Sequence, residues 1–302
     1  MVNLTTVTSQ WSPTRLGNLT GKRVVVTGAT NGVGLATAGA LARAGAHVIL
    51  AVRNVELGAQ RAAEIGGDTS VVKLDLADQS TVRAFPGLFD GDVDVLVNNA
   101  GLVAQNRSET VDGFEMTLGT NFLGPFALTN LLFPRVRSLI VNVASDAHKS
   151  AKIDLDDPHL RTTKWSAFPA YGRSKLAMML WGLELDRRLR AAGSPVTSQL
   201  THPGWVASNL SNVSDKRVMS AFHTVVKTAA NVLANDTDAG AAPTLYCISE
   251  PIPPGSYVGI DSRLGLKGAP TLSGRSAEAC DYEVAAQVVA FAEKETGTTI
   301  PV

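Results

Sequence analysis

Short apolar runs alternate with longer segments of helical length along the first two-thirds of the chain. The apolar runs are rich in Val, Ile and Leu and nearly continuous, as is typical of parallel strands that are covered on both faces. They occupy residues 23–27, 47–52, 70–76, 93–97, 138–143 and 196–201. The Ala- and Leu-rich segments between them, which we predict to be helices, occupy residues 33–44, 55–65, 79–88, 121–132 and 170–191. This order predicts an α/β fold, a doubly wound and mostly parallel sheet with helices on both faces.

The alternation continues past residue 190 with no linker and no internal repeat, so we predict one domain over residues 21–302. Residues 1–20 form an arm before the first strand in this interpretation. Residues 208–235 lack a clear strand, and we expect them to form a helical lid beside the binding pocket. A pair of surface helices would fit the same residues nearly as well.

The composition narrows the class of protein. The 302 residues carry 27 Lys and Arg against 27 Asp and Glu, and this zero formal charge gives no sign of a nucleic-acid or membrane-surface partner. Hydrophobic residues make up 45% of the chain and charged residues 18%, which suits a packed enzyme rather than a disordered chain. Because Cys247 and Cys280 are the only cysteines, we expect neither a disulfide framework nor a metal site.

Two segments bear on location and assembly. The N-terminal residues contain no apolar segment of the kind found in signal peptides, so we expect a cytoplasmic protein. The uncharged run over residues 116–134 is long enough to cross a bilayer, but Gly119, Asn121 and Gly124 within it favour a helix of a soluble protein. We expect this helix to lie partly in a subunit interface, which would make the protein a homo-oligomer.

A glycine-rich turn connects the first predicted strand to the first helix. Residues 27–34 read TGATNGVG, in which the glycines permit a tight turn and let a pyrophosphate approach the helix N-terminus. Such a turn is the phosphate-binding element of Rossmann-type folds, although its glycine spacing differs from GxGxxG. The residues that we expect to contact a dinucleotide here are Gly28, Thr30, Asn31, Gly32, Val33 and Gly34.

A tyrosine and a lysine form a candidate acid/base pair. Tyr171 and Lys175 lie four residues apart on one predicted helix, so their side chains share a face. An unperturbed tyrosine has a pKa of about 10, and we expect the nearby ammonium to lower this pKa by favouring the phenolate. Tyr171 would then be a usable general acid or base. Ser145 follows a predicted strand at its carboxyl end, where it could hydrogen-bond a substrate oxygen.

The motifs together resemble those of one enzyme family. The turn over residues 27–34 is similar to the TGxxxGxG element of the short-chain dehydrogenases/reductases, and residues 98–101 are similar to their NNAG element. A YxxxK from Tyr171 to Lys175 and a Pro-Gly pair at residues 203–204 follow in the family's order. The sequence around these motifs resembles the retinol-dehydrogenase-like branch. The resemblance extends from residue 27 to residue 208.

The resemblance implies further roles. Asn121 would hold a water in a proton relay to Lys175, and Lys175 would also bind the nicotinamide ribose. The further cofactor contacts that it implies are Asp75, Leu76, Asn99, Ala100, Gly101, Tyr171, Lys175, Pro203, Gly204, Val206 and Ser208. Substrate contacts are expected from His148, Trp205, Met219 and Phe222.

The residue after the second strand bears on the choice of cofactor. NAD-selective sites usually have an acidic residue there for the ribose 2′-hydroxyl, whereas an arginine suits the 2′-phosphate of NADP. This chain has Arg53 and Asn54, and no acid before Glu56. We therefore expect NADP(H) to be favoured over NAD(H). The alternative is that Arg53 merely faces solvent.

These observations predict an NADP-dependent oxidoreductase that transfers a hydride between the nicotinamide and a carbonyl or alcohol carbon of a lipophilic substrate. The sequence lacks the GxSxG, HExxH and GxxxxGK[ST] motifs of hydrolases, zinc proteases and P-loop proteins. A nucleotide-sensing protein that has lost catalysis is one alternative, because fold alone does not determine function. A sugar-nucleotide epimerase or dehydratase is another, although its glycine motif is usually spaced differently.

Overall fold

The computed structural model describes residues 11–204, 237–261 and 268–302. These residues include eight strands in one sheet of order β3-β2-β1-β4-β5-β6-β7-β8, in which only β7 and β8 pair antiparallel. The strands are β1 (Arg23–Thr27), β2 (His47–Val52), β3 (Thr69–Lys73), β4 (Val93–Asn98), β5 (Val136–Val143), β6 (Thr197–Thr201), β7 (Tyr257–Ile260) and β8 (Pro270–Leu272). The helices are α1 (Gly32–Arg43), α2 (Val55–Ile65), α3 (Gln79–Ala84), α4 (Met116–Leu118), α5 (Gly124–Leu132), α6 (Ala167–Ala191), α7 (Thr237–Ser249) and α8 (Tyr282–Thr296).

The predicted fold class is confirmed, because helices cover both faces of this sheet. Alternate residues of β1 belong to different cores: Val25 packs on one face with Phe122 and Trp181, whereas Val24 packs on the other with Leu41. A strand that is buried on both faces needs apolar side chains at every position. This is why the continuous apolar runs predicted β1 and β2 with the observed bounds.

Two parts of the fold differ from the predicted elements or extend them. The helix predicted over residues 121–132 is the end of a π turn (Gly119–Leu123) followed by α5, and this π turn separates α5 from the short α4 before it. The pattern assigned no element beyond residue 235, where α7, β7, β8 and α8 lie. Most of α7 is buried, from Gly240 to Cys247, so its sequence lacks the apolar and polar faces that reveal a surface helix.

The uncharged segment over residues 116–134 packs largely inside the chain, so its lack of charge does not require a subunit interface, and the homo-oligomer stays a prediction. Phe122, Leu123 and Leu128 are fully buried. Helix α8 lies over α5 and α6, and the Asn130 amide donates to Thr298 Oγ1 beyond α8 at 3.1 Å. The absence of charge thus reflects the core of a single chain. Among the described residues, no helix is long and apolar enough to span a membrane.

The described end of the predicted N-terminal arm is docked on α7. Trp11 and Leu16 are buried, and Trp11 Nε1 donates to Ser249 Oγ at 3.0 Å. Arg15 forms an ion pair with Glu250 at 3.2 Å. Residues 1–10 and the predicted lid over residues 208–235 lie outside the described residues.

Candidate active site

The glycine-rich turn has the backbone that its sequence predicts. Gly28 and Gly32 have φ values of +68° and +56°, which glycine adopts without strain. A Cβ at Gly34 would lie 2.6 Å from Gly28 O and closer still to Asn99 Nδ2. Only a glycine therefore lets α1 begin this close to the ends of β1 and β4. The N-terminus of α1 thus adjoins the open cleft, in the geometry that binds phosphate.

The ends of β1 and β4 are joined by hydrogen bonds at the point where the strand order reverses. Thr27 Oγ1 accepts from the backbone N–H groups of Asn99 and Ala100, both at 3.0 Å. Asn99 Nδ2 donates to Thr27 O at 2.8 Å. Open α/β sheets bind their ligands at this position. The NNAG motif thus forms one wall of the candidate site.

A cavity of about 700 Å³ lies along the carboxyl ends of the strands. It extends from Arg53, after β2, to Tyr171 and Lys175 on α6. The predicted cofactor residues that line it are Gly28, Thr30, Asn31, Gly32, Val33, Gly34, Arg53, Asp75, Leu76, Asn99, Ala100, Gly101, Tyr171, Lys175 and Pro203. One cavity therefore brings the phosphate-binding turn and the acid/base pair together, as a long dinucleotide requires.

Tyr171 shares a hydrogen bond with the Ser145 side chain, as a proton donor and a substrate-orienting hydroxyl should. Burial raises the pKa of Tyr171, and the bond to Ser145 opposes this rise. The Lys175 ammonium lies 5.7 Å from the Tyr171 ring centroid. The prediction that this ammonium brings the pKa of Tyr171 below its usual value is thus wrong for the cofactor-free protein, because desolvation outweighs a charge at this distance.

Lys175 is buried, and its burial changes the pKa of its side chain. Its side chain is 3% exposed, and its Nζ donates to Val143 O at 2.8 Å. Burial lowers its pKa from 10.5 to about 8, because desolvation penalises the ammonium. A Cβ at Gly101 would lie 3.5 Å from Nζ, so the NNAG wall closes on the lysine. Lys175 is therefore mainly charged at pH 7 but loses its proton readily.

Asn121 holds the chain that follows the NNAG motif. Its Oδ1 accepts from Leu102 N at 2.8 Å, and its Nδ2 donates to Leu102 O at 2.9 Å and to Ser174 Oγ at 3.0 Å. The π turn that contains Asn121 has the Gly124 N–H donating to Gly119 O. Both polar atoms of the side chain are thus engaged by protein groups, and the water relay implied by the resemblance stays a prediction.

His148 does not reach the cavity, contrary to its expected substrate contact. The residue is fully buried. Its Nδ1 donates to Ser145 O at 2.7 Å, and its Nε2 accepts from Ser276 N at 3.4 Å. His148 therefore supports the loop that carries Ser145. The remaining predicted contacts that lie outside the described residues are Trp205, Val206, Ser208, Met219 and Phe222.

The cavity has lining residues that the sequence analysis missed. Among them are Asn54, Leu57, Leu102, Val103, Thr120 and Thr237. Asn54 and Leu102 directly follow motifs at strand ends, so their positions were a usable signal. Thr237 begins α7, and no local pattern connects it with the site.

Basic residues surround the end of the cavity near β2. Arg53 is exposed, and its backbone carbonyl accepts from Lys73 Nζ at 2.6 Å. Arg61 Nε donates to Thr30 O at 3.2 Å and fixes the glycine-rich turn. Asp75 is the only acidic residue among the described lining residues. This end of the cavity therefore suits an anionic group.

The sequence matches the family model described as short chain dehydrogenase over residues 22–218. It is 42% identical over 202 residues to retinol dehydrogenase 13 from Homo sapiens, covering 63% of this chain and 60% of that protein. It is also 42% identical over 206 residues to polyprenol dehydrogenase from Mus musculus, covering 63% of this chain and 61% of that protein. The chain thus matches about three-fifths of the length of these curated relatives.

The fold also matches that of a solved relative. A crystal structure of an uncharacterized protein from Mycobacterium paratuberculosis shares 41% sequence identity with this chain, with a TM-score of 0.84. The match covers 97% of this chain and 100% of the other. The fold is therefore shared over nearly the whole length of both chains.

Proposed function

Because this chain belongs to the short-chain dehydrogenase family, in its retinol-dehydrogenase-like branch, we propose that it is an NADP(H)-dependent oxidoreductase. It transfers a hydride between the nicotinamide and the carbonyl or alcohol carbon of an apolar substrate. One observation carries the proposal: the cavity that begins at the glycine-rich turn ends at Tyr171 and Lys175, and Tyr171 is hydrogen-bonded to Ser145. The polar residues that line the cavity, and the close packing of α1 against the glycine-rich turn, fit a dinucleotide.

The chemistry divides between the cofactor and the chain. When bound, the nicotinamide supplies or accepts the hydride. In reduction, Ser145 orients the substrate oxygen by a hydrogen bond while Tyr171 protonates it; in oxidation, Tyr171 removes the hydroxyl proton. Lys175 lies near the tyrosine and would bind the nicotinamide ribose, and its positive charge would favour the phenolate during proton transfer.

The preference for NADP(H) rests on Arg53. Its guanidinium forms no ion pair with any residue in the described ranges and is exposed at the β2 end of the cavity. A guanidinium there can pair with a 2′-phosphate in a bidentate manner. Lys73 and Arg61 add positive charge near Arg53. Their hydrogen bonds to the backbone carbonyls of Arg53 and Thr30 hold them at this end of the cavity.

The proposed substrate class rests on the relatives and on the lining of the cavity. Retinol and polyprenol, which the names of the two relatives specify, are long apolar alcohols. Leu102, Val103 and Ala144 give the catalytic end of the cavity an apolar wall. We therefore propose a lipophilic alcohol, aldehyde or ketone as the substrate.

The test is a panel of apolar and polar alcohols, aldehydes and ketones, each assayed with NADP(H) and NAD(H) at the nicotinamide absorbance band. We expect turnover of apolar members with NADP(H), and a loss of roughly 100-fold or more in Tyr171→Phe. A protein that binds NADPH but converts nothing would instead be a nucleotide sensor. The cytoplasmic location also stays a proposal, which cell fractionation would test.

A further inference from the structure

His202 holds the turn that follows β6 beside the cavity. The residue is 4% exposed, and its Nδ1 accepts from Gly204 N–H at 3.2 Å. Gly204 has a φ of +69°, so the turn is a sharp left-handed one. Pro203, between the two residues, lines the cavity. The imidazole thus fixes the backbone at the edge of the proposed nicotinamide site.

The hydrogen bond determines the protonation of the ring. Because Nδ1 accepts, the proton of the neutral imidazole is on Nε2, which lies 3.8 Å from Asp146 Oδ1. A Cβ at position 259 would overlap the imidazole, so Gly259 on β7 makes room for it in this orientation. The ring is therefore held in one orientation and one tautomer.

The surroundings of His202 keep it neutral. Burial lowers the pKa of His202, the Asp146 carboxylate opposes this, and the Lys149 ammonium and the neighbouring His148 imidazole lower it further. The Asp146 carboxylate is shared, since Oδ1 accepts from Lys149 Nζ at 2.9 Å and from the Tyr257 hydroxyl at 3.1 Å. The Tyr257 ring lies 5.4 Å from the imidazole. At pH 7 the lone pair of Nδ1 is thus available to Gly204.

We propose that neutral His202 is a positioning residue for the cofactor, and that protonation of its ring releases the Pro203–Gly204 turn and weakens cofactor binding. A protonated imidazole donates from both nitrogens and cannot accept from Gly204. The inference rests on the proposed function, because it requires the nicotinamide to lie against this turn.

Two variants separate hydrogen bonding from titration. In His202→Asn, the Oδ1 can accept from the N–H two residues on, as in an Asx turn, but the side chain does not titrate. His202→Leu removes the acceptor. The probe is NADPH, and its dissociation constant is measured by nicotinamide fluorescence from pH 8 to pH 5.5. At pH 8 we expect a roughly threefold to tenfold weaker affinity in His202→Leu, as for one lost hydrogen bond, and rescue of most of this loss in His202→Asn.

The pH dependence gives the discriminating result. As the pH falls through the pKa of His202, which burial holds below the ordinary histidine value of about 6.5, the wild-type dissociation constant should rise towards that of His202→Leu, whereas His202→Asn should lack this rise. Protonation of the 2′-phosphate, whose second pKa is about 6, weakens binding in all three proteins. The ratio of wild type to His202→Asn removes this common effect.

His47→Asn is the matched control. His47 begins β2, so it lies at the amino ends of the strands and away from the cavity at their carboxyl ends. Its Nδ1 accepts from Arg23 Nε at 3.2 Å. Removing this imidazole should leave the dissociation constant of NADPH and its pH dependence unchanged. A change equal to that of His202→Asn would show that loss of any imidazole suffices, and would overturn the proposal.

A second readout uses the cofactor-free protein. Ring ¹⁵N spectra should show His202 neutral at pH 7 with the proton on Nε2, and the signals should be absent in His202→Asn. A proton on Nδ1, or a ratio of dissociation constants that does not vary with pH, contradicts the role of His202. Failure of the wild type to bind NADPH at any pH contradicts the proposed function itself.

Discussion

A methyl group at position 34 probes the contact between α1 and the ends of β1 and β4. In Gly34→Ala, the new Cβ would lie 2.6 Å from Gly28 O and closer to Asn99 Nδ2. Neither neighbour is the free end of a flexible side chain. The first is backbone, and the second is held by its bond to Thr27 O. The turn must therefore move away from α1.

Two effects of opposite sign determine how much Gly34→Ala changes the free energy of unfolding. Alanine is favoured over glycine in a helix by about 1 kcal/mol, whereas overpacking a filled site costs about 1–3 kcal/mol. Because the contact is with backbone, we take the upper end of the overpacking cost. After the gain from helix propensity is subtracted, we expect a net loss of about 2 kcal/mol in the free energy of unfolding. This corresponds to a fall in Tm of about 4 °C. Displacement of the turn should also weaken NADPH binding roughly tenfold or more, as for one lost charged hydrogen bond.

The assay is denaturant unfolding together with NADPH titration of the wild type and two variants. Gly87→Ala is the control, because a Cβ at Gly87 would meet no atom within 4 Å. We expect Gly87→Ala to change the free energy of unfolding by no more than about 0.5 kcal/mol and to bind NADPH normally. If Gly34→Ala behaved like Gly87→Ala in both measurements, the close packing of α1 on the turn would be refuted.

Two further predictions concern charged residues of the cavity. Arg53→Ala should raise the Michaelis constant for NADPH roughly tenfold to a hundredfold and leave that for NADH nearly unchanged, and Arg53→Asp should reverse the preference; equal effects on both cofactors would contradict this. Lys175→Met should abolish turnover. It should nevertheless raise the free energy of unfolding at pH 7 by about 2 kcal/mol, because the stability gained by removing a desolvated ammonium exceeds the stability lost with the hydrogen bond to Val143 O. Because burial lowers the pKa of Lys175 to about 8, wild-type stability should rise between pH 8 and pH 10 relative to Lys175→Met, and parallel pH profiles in denaturant would refute this.

The sequence predicted the parts of the candidate site that directly follow strands, because their positions depend only on the local backbone. The glycine turn and the NNAG motif each follow an apolar strand directly, so their positions at the sheet edge follow from the strand pattern alone. The pairing of Tyr171 with Lys175 likewise needs only one helix. These features required no knowledge of how distant segments pack.

The features that the sequence did not determine depend on contacts between distant segments. The uncharged residues around Phe122 are buried by α8, which begins at Tyr282, so their sequence could not distinguish a chain interior from a subunit interface. The burial of His148 depends in part on Ser276, and the pKa of Tyr171 depends on burial that no local pattern measures. The π turn at Asn121 also has no periodic signal.

The most direct test of the proposed chemistry follows the hydride itself. An apolar aldehyde or ketone from the active panel is incubated with NADPH that carries deuterium at both positions of the nicotinamide C4, and the alcohol product is analysed by mass spectrometry. We predict one deuterium on the former carbonyl carbon with the wild type, and formation of this product at least roughly 100-fold slower with Tyr171→Phe. An alcohol without deuterium, or equal rates from the two proteins, would contradict hydride transfer with Tyr171 as the proton donor.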